Sequence, residues 1–247
     1  MMRLQPKRML TAVLLASAFA GSASQAAVST VALTGTDTDI TTYTDGSAYL
    51  PLFDGNIHNL GGVDFTFNNG GNNAINGGPV TISTNIADAS TVYTLVNSAW
   101  GSNGSVAGSI TFNGSLGASY TVQYVEGVNV RDHYYGDFNN VTTSPTVTQA
   151  VFGNPNPGNA HLDMQTILLP SAFNNQVLTS IVFDSSNGGY PTGQAFLAGV
   201  SVSAVPEPSI ALMMLIGLCL TAPIIRRRNK DKISSEAFEV SSEAFEV

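Results

Sequence analysis

The sequence predicts an all-β protein, an antiparallel β-sandwich that lies between an N-terminal targeting segment and one C-terminal transmembrane helix. Between residues 27 and 204, short runs rich in Val, Ile, Thr, Tyr and Phe alternate with clusters of Gly, Asn and Ser. Helical periodicity is almost absent there, and about ten or eleven such runs are typical of a sandwich or barrel. Each end of the 247-residue chain also places an apolar stretch beside basic residues.

The first 26 residues have the pattern of a secretory signal peptide. Arg3, Lys7 and Arg8 precede an apolar stretch, "MLTAVLLASAFAG", and Ser24 and Ala26 supply the small residues of a cleavage site. We therefore expect export and a cut after Ala26. An uncleaved anchor is the alternative, but the apolar stretch is short for a bilayer.

The strand predictions for residues 27–204 depend on alternation of apolar and polar side chains. In "VDFTFN", Val63, Phe65 and Phe67 fall on one face and polar residues on the other. Residues 80–86 and 119–125 alternate in the same way. Since successive side chains of a strand point to opposite faces, this pattern predicts half-buried strands of an antiparallel sheet.

Two loops interrupt the strands, and neither has the character of a domain linker. "NNGGNNAINGG" (68–78) is rich in residues that tolerate positive φ, and "GNPNPGN" (153–159) contains prolines that interrupt strand pairing. Strand-like sequence flanks both, so we expect one ectodomain over residues 27–204. Within it, "LPSAFNNQVLTSIVFDS" (169–185) resembles the last hairpin of galactose-binding-like jelly rolls. That resemblance implies a jelly-roll sandwich and raises the expectation of carbohydrate binding.

The charge balance of the ectodomain excludes some functions. Arg131 is its sole Lys or Arg, and the lone cysteine, Cys219, lies beyond it. Nucleic acid is thus not expected as a partner, since phosphate binding needs clustered Lys and Arg side chains. Disulfides, thiolate metal sites and a cysteine nucleophile are excluded as well. The acidic residues are Asp37, Asp39, Asp45, Asp54, Asp64, Asp88, Glu126, Asp132, Asp137, Asp163 and Asp184.

The C-terminal stretch "VPEPSIALMMLIGLCLTAPIIRRRNK" (205–230) predicts a membrane span. No residue from 209 to 225 is charged, and a helix of that length reaches ~25 Å, near the lower limit for a bilayer. Basic residues cluster at 226–232, which indicates the cytoplasmic side and leaves the ectodomain outside. A buried core helix is the alternative, but one that is apolar on every side fits a small sandwich poorly.

The order of these parts resembles the PEP-CTERM sorting signal of Gram-negative bacteria. An apolar span separates a Pro-Glu-Pro triplet from arginines in residues 205–232. The resemblance implies that exosortase, a membrane-embedded transpeptidase, is the partner and processes the chain at the inner membrane. It implies a periplasmic ectodomain that later reaches the cell surface or matrix, in association with exopolysaccharide and biofilm. The implied signal residues are Val205, Pro206, Glu207, Pro208, Arg226, Arg227 and Arg228.

Residues 233–247 form an acidic tail that departs from this pattern, because such proteins usually end soon after the basic cluster. The tail repeats "SSEAFEV" at Ser234–Val240 and Ser241–Val247. Two copies are too few for a coiled coil, and the composition predicts disorder. We interpret it as a local duplication without function, with a cytoplasmic docking tag as the alternative.

The segment "EGVNVRDHYYGDFNN" (126–140) gathers charged and aromatic side chains and is the candidate site. One interpretation is structural: Arg131 forms a bidentate ion pair with Asp163 or Glu126 and holds a loop. The other is ligand binding, in which aromatic rings stack on sugars and polar groups bind hydroxyls. The candidate ligand-binding residues are Arg131, Asp132, His133, Tyr134, Tyr135, Asp137 and Asn139.

Other chemistries have weaker patterns. A Ca²⁺ site from Asp132, Asp137 and loop carbonyls stays open, with no other metal or cofactor expected. Scattered histidines and the absence of HExxH and GxSxG argue against an enzyme. Trp100 is interpreted as a core residue. We thus expect an exported, exosortase-sorted structural or adhesive surface protein. Alternatives are a carbohydrate-binding module and a secreted polysaccharide hydrolase.

Overall fold

The described part of the chain contains eleven β-strands and three short 3₁₀ helices, and no α-helix. The computed structural model describes residues 27–134, 138–154, 156 and 158–205. The 3₁₀ helices span Ile40–Thr42, Gly46–Tyr49 and Ser171–Phe173. The strands are β1 (Val28–Val31), β2 (Ile57–Leu60), β3 (Val63–Thr66), β4 (Val80–Ala87), β5 (Ala89–Ala99), β6 (Val106–Gly114), β7 (Ser119–Val125), β8 (Val147–Gly153), β9 (His161–Leu168), β10 (Val177–Asp184) and β11 (Gln194–Ala204).

The strands form two main sheets and a hairpin, and every strand pair is antiparallel. A five-stranded sheet has the order β1-β11-β5-β9-β8, and a four-stranded sheet has the order β4-β10-β6-β7. The hairpin is β2-β3. One apolar cluster contains side chains from both sheets, such as Val92 of β5 and Phe183 of β10, so the sheets pack face to face. The prediction of an all-β antiparallel sandwich is confirmed.

A second apolar cluster covers the other face of the five-stranded sheet. Leu95 of β5 and Phe196 of β11 pack there against the hairpin β2-β3 and the first two 3₁₀ helices. Burial on both faces explains why β5 and β11 are almost continuously buried and do not alternate with exposed positions. The hairpin does alternate: Val63, Phe65 and Phe67 are buried, as predicted.

The Gly- and Asn-rich loop at residues 68–78 is more ordered than its composition suggests. Its many Gly and Asn residues favour irregular backbone, yet Ala74 bridges Thr38 and Ile75 bridges Leu197 of β11. Ala74 and Ile75 are both fully buried, because an apolar pair inside a polar loop gains stability by packing onto the sandwich.

Several sequence predictions fall outside the described residues. These are the signal peptide (1–26), the sorting signal from Pro206 onward, the transmembrane helix (209–225) and the duplicated tail. Within the part that is described, no helix has both the length and the apolar character needed to cross a membrane.

Candidate functional site

Residues 131–133 of the candidate segment, referred to as the wedge, lie between β5 and β9 of the five-stranded sheet. Pairing between these strands runs from Thr91 to Leu95 on β5 and stops there. Beyond that point, the Ser98 N–H donates to the Arg131 carbonyl at 3.0 Å, and the His133 N–H donates to the Ser98 carbonyl at 2.9 Å. On the other side, the His161 N–H donates to the His133 carbonyl at 2.9 Å. Residues 131–133 therefore fill the gap where two sheet strands separate.

Arg131 and Asp163 form a buried bidentate ion pair at the base of this wedge. Arg131 Nε donates to Asp163 Oδ2 at 2.6 Å, and Arg131 Nη2 donates to Asp163 Oδ1 at 2.8 Å. Arg131 is 3% exposed and Asp163 is 2% exposed. Asp163 also accepts from Asn97 Nδ2 at 3.1 Å and from the Ala150 N–H at 2.6 Å. The geometry matches the structural interpretation of Arg131, with Asp163 as its partner.

A cavity of about 310 Å³ opens beside the wedge, and side chains from three distant parts of the chain line it. Its volume is at the small end of the range for ligand sites, and it suits a single small group. Aromatic rings make up much of the lining. The lining residues are Thr42, Tyr43, Thr44, Ala99, Trp100, Asp132, His133, Tyr134 and Phe138.

Trp100 lies at the end of β5 and presents its ring to this cavity. It is 45% exposed, so the expectation of a core tryptophan is wrong. Its φ of 63° is in the left-handed region, which a bulky residue seldom adopts. The carboxylate of Asp132 stabilises that conformation by accepting the Trp100 N–H at 2.8 Å. Asp132 also accepts the Tyr134 N–H at 2.9 Å, so one carboxylate positions two lining residues.

His133 forms the inner wall of the cavity and is surrounded by rings. Ring centroids of Tyr43, Tyr49 and Phe196 lie 5.5, 6.1 and 5.6 Å from that of His133. The Tyr49 hydroxyl donates to the His161 carbonyl at 2.9 Å, so His133 Nδ1, 3.1 Å away, donates to the Tyr49 oxygen. Burial, together with the nearby His161, lowers the pKa of His133 to about 4, and the negative charge of Asp45 opposes this shift. His133 is therefore neutral at pH 7, with Nε2 as an acceptor.

Tyr43 comes to the cavity from the N-terminal 3₁₀ helix Ile40–Thr42. Asp39 caps this helix by accepting the Thr41 N–H at 3.0 Å. The Asn73 side chain accepts the Ile40 N–H at 3.0 Å. The Tyr43 hydroxyl is in turn hydrogen-bonded to the side chain of Asn76. These contacts hold the Tyr43 ring beside His133, far from it in sequence.

Glu126 lies behind the Trp100 turn as a buried carboxyl group. It is fully buried, and its Oε2 accepts from Asn139 Nδ2 at 3.2 Å, while Oε1 has no hydrogen-bond partner among the described residues. Burial raises the pKa of Glu126 to about 7. The hydrogen bond from Asn139 opposes the effect of burial on this pKa, and the negative charge of Asp132 acts in the same direction as burial. Glu126 therefore titrates near neutral pH.

The structure places the predicted ligand-binding residues in different environments. Asp132, His133 and Tyr134 line the cavity. Arg131 points into the ion pair instead. The Asn139 side chain donates to Glu126 and to the Val141 carbonyl at 3.1 Å, so it holds the loop. Tyr135 and Asp137 lie outside the described residues.

The calcium interpretation finds no support in the geometry around Asp132. Its carboxylate accepts two backbone N–H groups, and Asp137 is not among the residues described. Among the residues that are described, no group of three or more His, Cys, Asp or Glu side chains could hold a metal ion. The Ca²⁺ site remains an untested prediction.

Sequence reasoning missed three aromatic members of the cavity. Tyr43 was not singled out, Trp100 was assigned to the core, and Phe138 lies in the candidate segment 126–140 but was not among the residues named for ligand binding. A weak signal existed for Trp100, because it precedes a Gly- and Ser-rich stretch, "GSNGS", that is typical of an exposed turn. No family model matches this chain, and no curated protein matches it.

Proposed function

We propose that this protein is an exported surface protein whose β-sandwich binds a saccharide in the Trp100 cavity and so attaches to a polysaccharide matrix. The observation that carries the proposal is the exposure of Trp100, in a backbone conformation that costs free energy. A tryptophan that only stabilised the fold would gain more by being buried. An exposed ring on a strained backbone, which Asp132 stabilises through the Trp100 N–H, instead suits contact with a ligand.

The cavity has the mixture of groups that a sugar needs. The faces of Trp100, Tyr43 and Tyr134 offer flat apolar surfaces for the C–H groups of a sugar ring. Neutral His133 has an acceptor at Nε2, and the Thr44 hydroxyl, at the exposed rim, can donate and accept. The Thr42 hydroxyl donates to the Asp39 carbonyl at 2.7 Å and can still accept. A few convergent polar groups in an apolar pocket are typical of small-molecule sites.

We propose binding and not catalysis. A glycosidase needs two carboxylates on either side of the scissile bond. Among the described residues that line the cavity, Asp132 is the one carboxylate, and it accepts two backbone N–H groups. Glu126 is fully buried behind the Trp100 turn.

The location of the protein follows from the two ends of the sequence and is likewise a proposal. The signal peptide (1–26) would direct export, and residues 205–232 would present the chain to exosortase at the inner membrane before release to the surface. Sugar binding agrees with the resemblance of residues 169–185 to galactose-binding-like jelly rolls. A surface protein that binds polysaccharide would act as an adhesive component of a biofilm matrix.

Trp100→Ala and Trp100→Phe test the binding proposal. In pull-down with a panel of neutral polysaccharides, the full-length protein should bind at least one. Trp100→Ala should abolish that binding and Trp100→Phe should retain part of it, because Phe keeps a flat ring. Leu116→Ala is the matched control, since Leu116 is an exposed apolar residue at the opposite end of β6, roughly 30 Å away at 3.3 Å per residue. Equal binding by Trp100→Ala and the parent would refute the proposal.

A further inference from the structure

The aromatic ring of Tyr190 lies beside the cavity but does not line it. Tyr190 is 78% exposed, and its ring centroid is 6.3 Å from that of Phe138, with the planes at 87°. Phe138 itself lines the cavity. The rings therefore continue from the cavity onto the outer surface, and a single group bound in the cavity would leave the Tyr190 ring unused.

Hydrogen bonds fix the backbone that carries Tyr190, although its side chain is exposed. The Gly189 N–H donates to the Gly193 carbonyl at 2.9 Å, and the Gly193 N–H donates to the Gly189 carbonyl at 2.8 Å. This closes a tight turn that carries Tyr190 at its tip. The Pro191 carbonyl accepts the Ser102 N–H at 3.1 Å, which joins this turn to the one that follows Trp100. A ring on a fixed backbone loses less entropy when it binds than a ring on a flexible loop.

The charges of the domain restrict what the two rings can bind. Residues 27–204 contain one Arg and no Lys, together with eleven acidic residues. The guanidinium of Arg131 is buried and bonded to Asp163. No Lys or Arg of this domain is therefore available to pair with a carboxylate or sulfate on a ligand. An anionic polymer would meet a negative surface with no compensating contact.

We propose that the site binds a linear, uncharged polysaccharide, with one sugar unit in the Trp100 cavity and the following units along Phe138 to Tyr190. The inference rests on the proposed function and adds the length and the charge class of the ligand. The cavity contributes the first contact, and the ring of Tyr190 contributes a second one that only a longer chain reaches.

Trp100 supplies the measurement, because it is the sole tryptophan of the chain. Its fluorescence reports binding at the cavity and ignores binding elsewhere, for instance at the basic residues 226–232. The full-length protein in detergent is titrated with ladders of neutral gluco-, manno-, galacto- and xylo-oligosaccharides and with oligouronates of matched length. We expect affinity to rise with chain length for a neutral ladder and no Trp100 response to the oligouronates.

Tyr190→Ala separates this inference from the proposed function. We expect it to weaken binding of the longest neutral oligosaccharide by roughly 3- to 10-fold and to leave the shortest one unchanged. Tyr190→Phe and Leu116→Ala should match the parent, and circular dichroism checks that each variant is folded. Equal effects of Tyr190→Ala on long and short ligands, or an equal response to oligouronates, would overturn the inference alone. If no saccharide changes the Trp100 emission, the proposed function fails as well.

Discussion

Glu126→Gln should make the protein more stable above neutral pH and leave it nearly unchanged in mild acid. Glu126 is fully buried, and Asn139 Nδ2 donates to its Oε2. Glutamine has nearly the same shape, and its side-chain oxygen can accept the same hydrogen bond. The substitution therefore removes the titrating proton while the packing around residue 126 stays close to that of the parent.

The magnitude follows from the two pKa values of Glu126. Burial raises the pKa to about 7 in the folded protein, whereas the ordinary value is 4.5. Because the folded protein holds this proton more tightly, the stabilising contribution is complete below pH 4.5 and is lost as pH rises through 7. At about 1.4 kcal/mol per pH unit, the interval corresponds to about 3 kcal/mol. The Gln variant should therefore exceed the parent by up to about 3 kcal/mol at pH 8.

Urea denaturation of parent and variant, followed by Trp100 fluorescence across this pH range, gives the free energy of unfolding of each. The informative quantity is their difference, since His133 titrates in an overlapping range and affects both proteins alike. We expect the difference to grow between pH 4.5 and 7 and then to level off. A difference that is constant with pH would refute the claim that burial keeps Glu126 protonated near neutral pH.

Four further outcomes are expected. Arg131→Met should lower the free energy of unfolding by about 3–5 kcal/mol, because it leaves the Asp163 carboxylate buried without a cation. Adding Asp163→Asn should recover part of this loss. A loss below ~1 kcal/mol in urea denaturation would contradict the prediction. The pKa of His133 is lowered from 6.5 to about 4 in the folded protein. Between these two pH values the unfolded chain binds a proton at this residue and the folded protein does not, so the free energy of unfolding falls as pH drops through that interval. His133→Asn should flatten this acid limb of the unfolding free energy, and an unchanged slope would argue against it. Deleting Ser241–Val247 should leave export and processing unchanged in cell fractionation, whereas retention in the cytoplasm would favour the docking-tag alternative. Mass spectrometry of the mature protein should find Ala27 at its N-terminus, and an intact Met1 would exclude cleavage.

The fold class could be predicted because strand patterns are local. Alternation in residues 63–67 depends only on neighbouring side chains, and the structure buries Val63, Phe65 and Phe67 as expected. The alternation pattern predicted less where both faces of a strand are buried. Strand β11 is buried on both sides, and its sequence does not alternate from Ala195 to Val200, so the face of each side chain there could not be predicted.

The site could be predicted only as far as composition singles out a residue. Arg131 was recognised because it is the only base in an acidic domain, and Asp163 was one of two partners named for it. Trp100 was wrongly assigned to the core, because tryptophan is usually buried and nothing local predicted its positive φ. That φ depends on a hydrogen bond to Asp132, a residue from the wedge.

The sequence by itself determined the strand-forming pattern, the scarcity of cations and the basic and apolar segments at both ends, since these are properties of composition and of neighbouring residues. Only the tertiary structure decided that Tyr43, Trp100 and Tyr190 gather around His133 and Phe138. The physical reason is that sheet pairing joins segments that are far apart along the chain. The spacing of residues in the sequence does not predict which turns lie next to each other in the fold. Arg131, Asp132 and His133 are therefore neighbours in one segment of the sequence, but in the fold Arg131 pairs with Asp163 and the other two line the cavity.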